Sequence, residues 1–75
     1  MDYGRGKRPP QKVIGANFQR YRERLNLTKT YVGSQLGYTR HWVAKLEDGK
    51  TCFDFSMSLQ VKELLGLDSI EDLLK

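Results

Sequence analysis

The residues with the clearest chemical use lie in one short run, Thr39-Arg40-His41-Trp42-Val43-Ala44-Lys45. A helix that reads double-stranded DNA needs polar side chains exposed near its N-terminus and an apolar rear that anchors it. Val43 and Leu46 supply the rear, and Arg40, His41, Ala44 and Lys45 fall on the remaining surface. Arg40 has the planar fork that matches guanine O6 and N7, a contact worth about 1–3 kcal/mol of discrimination between bases. His41 can donate to a base or a phosphate. Ala44 is small enough to let the helix sit deep and touch a thymine methyl. Lys45, one turn on, has the reach for a base or for the phosphate backbone. An ordinary amphipathic helix with a solvated basic face would carry similar residues, so these side chains alone do not decide between the two.

Catalytic chemistry has less to stand on. His41, Cys52 and the carboxylates show no nucleophile-base spacing, and no glycine-rich phosphate loop is present, so an enzyme is not expected. Cys52 is the only cysteine and His41 the only histidine. One thiol forms neither an internal disulfide nor a cysteine-based zinc site, which points to a reducing compartment, with no metal and no cofactor. No apolar run approaches membrane-spanning length and no signal-peptide core follows Met1, so a cytoplasmic protein with no membrane partner is expected.

The chain has 75 residues, enough for one small domain of modest stability that dimerisation would help. Its formal net charge of +4 is uneven: residues 1–50 carry eleven Lys/Arg against four Asp/Glu, and residues 51–75 carry two against five. A basic front and an acidic back suit a polyanion bound on one side, although a well-solvated surface would look the same.

The elements that must position Arg40 and its neighbours follow from spacing. Residues 1–9 read as a flexible basic arm, with Arg5, Lys7 and Arg8 and almost nothing to bury. Residues 10–75 read as one all-α domain. From Pro10 to Leu25 the apolar positions Ile14, Phe18, Tyr21 and Leu25 form a single helical stripe. Asn26-Leu27 is a break, and Thr28 caps a second helix from Lys29 to Leu36, with Val32 and Leu36 inward. Gly33 is expected where this helix touches the next. Gly37 stands just past the helix end, where a positive φ is required. Thr39 caps a third helix, Arg40 to Glu47. Lys50 to Asp54 is a loop, Ser56 caps a fourth helix ending near Leu65, and Ser69 caps a short fifth from Ile70 to Leu74. Two short helices joined at Gly37-Tyr38 are the sequence form of a helix-turn-helix, whose second helix lies in the major groove.

The residues Leu27-Thr28, Gly33, Leu36-Gly37, Thr39, Val43 and Leu46-Glu47-Asp48-Gly49-Lys50 together resemble the phage Cro/repressor-type (XRE) helix-turn-helix family. Members typically read L-[ST]-Q-x-x-[LV]-[AG]-x-x-[LV]-G-x-[ST]-x-x-x-[IV]-x-x-[LIF]-E-x-G. The resemblance implies a compact five-helix, lambda-repressor-like domain that binds a double-stranded DNA operator, most simply as a dimeric repressor. It implies base contacts from Arg40, His41 and Lys45, and backbone contacts from Lys29, Thr39 and Lys50; the residues themselves add Ala44 at the bases and Thr28 and Trp42 at the backbone. Lys50 is nearly as readable as a solvated loop charge. Lys29 stands where members often use glutamine, keeping a phosphate role without the two-sided amide. Arg22 and Glu47 correspond to an ion pair that fixes the third helix to the first. Leu73 and Leu74 are the candidates for a contact between two copies.

Trp42 departs from the commonest pattern, which has a smaller residue. Two readings are open: a half-buried ring on the second helix with its indole N–H free for a phosphate, or insertion at a base. Tryptophan there, with Gly49 to Phe55 and Leu64-Leu65-Gly66-Leu67, resembles the subgroup of HipB-type antitoxins. That implies an alternative: an antitoxin that binds a toxin kinase and represses its own operon. The arm is likewise readable as a plain disordered tail or as a contact with phosphates or the minor groove through Arg5, Lys7 and Arg8.

Overall fold

The N-terminal stripe folds into α1 (Gln11–Arg24), which presents Ile14 and Phe18 to the core. Next come α2 (Lys29–Leu36), α3 (Arg40–Glu47), a 3-10 turn (Phe55–Met57), α4 (Ser58–Leu65) and a final 3-10 turn (Ile70–Leu74). The computed structural model describes residues 11–74. The basic arm, the helix start at Pro10 and the C-terminal Lys75 lie outside the described residues. Among the described residues no helix is long and apolar enough to cross a membrane.

Each helix closes in the same way. After α1 the amide of Leu27 reaches back to the carbonyl of Arg22 at 3.1 Å and that of Asn26 to Glu23 at 3.0 Å, with Asn26 at φ 59°. These are the paired bonds of a Schellman closure, here made with an asparagine in the left-handed region. Leu25, expected on the buried stripe, is exposed, because α1 has already ended at Arg24 and the chain reverses there. Leu27 packs against the core in its place. The closure after α2 uses Gly37 at φ 83°, whose amide bonds to Ser34 while that of Tyr38 bonds to Gly33 at 2.7 Å. A side chain at that φ would be strained.

One core collects residues from every helix: Phe18 of α1, Val32 of α2, Val43 and Leu46 of α3, Val61 and Leu65 of α4, and Leu73 of the final turn. Where α2 meets α3, a methyl added at Gly33 would lie 2.7 Å from the carbonyl carbon of Thr39, so the two helices touch backbone to backbone, as their spacing suggests.

The C-terminal third differs from expectation in three respects. Among the described residues there are four α-helices rather than five; the last element is a 3-10 turn of five residues, too short to gain from α-helical propagation. Ser69 still caps it, its hydroxyl accepting from the amide of Glu71 at 3.2 Å. Ser56 does not cap α4, because it lies inside the preceding 3-10 turn. Met57 takes the cap position without a side-chain hydrogen bond. Leu73, expected at a contact between copies, is 1% exposed and belongs to the chain's own core, whereas Leu74 is 50% exposed. The five-residue turn presents these two neighbours to opposite sides.

Candidate nucleic-acid interface

The caps set where α3 begins. The hydroxyl oxygen of Thr39 accepts from the amide of Trp42 at 3.2 Å, and that of Thr28 accepts from the amide of Tyr31 at 3.0 Å. Both hydroxyls keep a proton to donate, which is what a backbone contact requires. With α3 started at Arg40, its 3.6-residue period turns Val43 and Leu46 fully inward and leaves Arg40, His41 and Lys45 exposed, with Ala44 half-buried beside them. Lys29 is half-buried at the start of α2, and Lys50 is exposed just past α3.

The rear of α3 is held at three points. Arg22 Nε donates to Glu47 Oε2 at 2.6 Å and its Nη2 to Oε1 at 3.1 Å, while Nη1 donates to the Leu27 carbonyl at 2.8 Å. One guanidinium thus joins α1, the α1–α2 connection and the end of α3. The two side chains are only 9% and 4% exposed. The hydrogen bond to Glu47 raises the Arg22 pKa above its already high ordinary value, with burial opposing it, so the guanidinium of the pair is charged.

Gly15 supplies the second point. A methyl there would collide with the carbonyl of Leu46 and lie 2.9 Å from that of Glu47, so α1 rests directly on the C-terminal turn of α3. The third lies at Gly49, in the turn after α3. A Cβ on this residue would meet Lys12 Cγ at 2.7 Å. The spacing of Arg22 and Glu47 did not by itself reveal the first point; the family pattern did. A glycine inside an otherwise helical stripe was the available signal for the second, since glycine mid-helix is unfavourable without a packing reason.

Two further residues carry structure that their types alone did not announce. Asn17 is buried and its Nδ2 donates to the Leu73 carbonyl at 2.7 Å, tying α1 to the final turn. Its position three after Ile14 puts it on the apolar stripe, where a polar residue needs a partner. Tyr38 stacks on Trp42 with ring centroids 4.3 Å apart and planes 13° apart. Trp42 is half-buried and packs on the core.

Comparison with known proteins adds three findings. The sequence model of a family described as a helix-turn-helix domain matches residues 13–74. Among solved structures, the chain is similar to the hydroxypropylphosphonic acid epoxidase from S. wedmorenis, with a TM-score of 0.79 at 22% identity. The match covers 89% of this chain but 35% of that one, so the chain spans about a third of the protein it resembles, and the likeness is one of fold alone. No curated protein matches.

Proposed function

This chain belongs to the helix-turn-helix domain family, and on that premise we propose that it is a sequence-specific DNA-binding transcriptional regulator that occupies an operator through α3. One observation supports the reading above others. Arg40, His41 and Lys45 are exposed on a helix whose opposite side is fully buried at Val43 and Leu46 and clamped by Arg22 through Glu47. A mobile basic helix would bind any polyanion; one held from behind can hold a base-reading geometry. Arg40, His41, Ala44 and Lys45 are the base contacts of this proposal, and Thr28, Lys29, Thr39, Trp42 and Lys50 the backbone contacts.

The finer reading is an XRE-type repressor acting as a homodimer. Its two recognition helices would sit about one DNA turn, roughly 34 Å, apart on a near-palindromic site. Leu74 remains a candidate for the contact between copies. Function by binding rather than catalysis is part of the proposal; the activity of the epoxidase is not carried over, given the shared fold alone. The antitoxin alternative rests on the sequence around Trp42 and Phe53, and co-purification with a toxin kinase separates it from a stand-alone repressor.

Selection of bound duplexes from a random-sequence pool tests the proposal. The expected result is enrichment of one near-palindromic sequence, with the preference at one base position relaxed in Arg40→Ala or His41→Ala. Recovery of unselected sequence by the wild-type chain would refute it.

A further inference from the structure

Tyr38 stands outside the set of residues that the family pattern marks for DNA. It precedes the cap residue Thr39, and it is 45% exposed although its ring lies flat on Trp42. A residue one before the cap commonly packs on the fourth helical residue as an apolar staple. Here the ring packs instead on Trp42, the third residue of α3, and a phenol stands where a plain hydrocarbon would serve. Neither the Tyr38 hydroxyl nor the Trp42 indole N–H has a hydrogen-bond partner among the described residues.

We propose that Tyr38 is a further DNA-contacting residue. Together with Trp42 it forms a rigid aromatic plate at the start of α3 whose two neutral donors bind phosphodiester oxygens beside the bases that Arg40 meets. The proposal rests on the DNA-binding reading and deepens it. Three physical points carry it. The plate adjoins the N-terminal end of α3, the end that meets the duplex when such a helix docks in the major groove. Stacking at 4.3 Å leaves both rings little freedom to lose, so a contact through them costs less ordering entropy than one through lysine. Both donors are neutral, so they add affinity and orientation without displacing counterions.

That neutrality gives the proposal a signature distinct from the basic residues. Tyr38→Phe keeps the stacked ring and removes only the hydroxyl. Against a duplex recovered by selection, Tyr38→Phe is expected to bind roughly two- to tenfold more weakly, the range for one net hydrogen bond. Its salt slope and melting temperature should match the wild type. A scan of that duplex with single neutral methylphosphonates should find one position that weakens the wild-type chain but not Tyr38→Phe. Unchanged affinity in Tyr38→Phe with a decrease only in Tyr38→Ala would overturn the proposal, leaving the plate as a staple for the turn. So would a methylphosphonate profile identical in the two proteins. In both cases a wild-type chain that still selects its duplex shows that the DNA-binding reading stands; a wild-type chain that binds no duplex removes both.

Discussion

Replacing Arg22 by alanine would test the clamp behind α3 most severely. The wild-type guanidinium makes two hydrogen bonds to Glu47 and one to the Leu27 carbonyl. Arg22→Ala takes the guanidinium away from a carboxylate that is 4% exposed in the intact pair. Breaking a buried pair by removing one partner costs about 3–5 kcal/mol, because the remaining charge is neither hydrated nor paired. Against this, a chain of 75 residues has a total stability of roughly 4–11 kcal/mol at the usual value per residue. The substitution therefore removes a large share of it. At about 4–8 °C per kcal/mol for a domain of this size, the melting temperature should fall by at least roughly 12 °C. Circular dichroism melts read the fall directly, and DNA affinity should drop with it. The double variant Arg22→Met/Glu47→Leu should recover most of the stability, since no charge is then left buried. An unchanged melting temperature in Arg22→Ala would refute the reasoning, and so would a double variant less stable than the single one.

Further outcomes follow from the same packing. Gly15→Ala improves helix propensity by about 1 kcal/mol, but its methyl meets the Leu46 and Glu47 carbonyls at a cost of about 1–3 kcal/mol, so a net destabilisation of up to about 2 kcal/mol is expected in denaturant melts. A stabilised variant would contradict the close approach. Leu73→Ala should cost about 2–5 kcal/mol while Leu74→Ala costs under about 0.5 kcal/mol in the monomer; equal costs would contradict the opposite burial of the two leucines. Deleting residues 1–8 should reduce the salt slope of DNA binding by about 0.9 for each phosphate that the arm neutralises, and an unaltered slope would assign the arm to a plain tail.

Much of the scaffold was legible because each helix is bounded by local chemistry. Thr28 and Thr39 cap where hydroxyls precede an apolar rhythm, and Gly37 closes α2 in the left-handed region that its type favours. The exposed set Arg40, His41 and Lys45 followed from where α3 starts, which Thr39 fixes. What was not legible depends on partners distant in sequence. Ser56 has a capping side chain, yet the 3-10 turn carries the helix start two residues past it. Leu73 and Leu74 are identical in type, and only the Asn17 bond to the Leu73 carbonyl and the path of the final turn decide which is buried. The stack of Tyr38 on Trp42 was not legible because a turn residue is judged by its backbone, and ring stacking is a side-chain matter that no propensity encodes.

The central claim is that α3 is a rigidly held probe of base edges, and the most direct measurement compares Arg40→Ala/Lys45→Ala with the wild-type chain. Binding of both proteins to the selected duplex and to a scrambled duplex of equal length is followed at moderate salt, with melting temperatures recorded alongside. The account predicts an unchanged melting temperature, a preference for the selected sequence that collapses by at least about tenfold, and a shallower salt slope. A double variant that keeps both its preference and its affinity would contradict it.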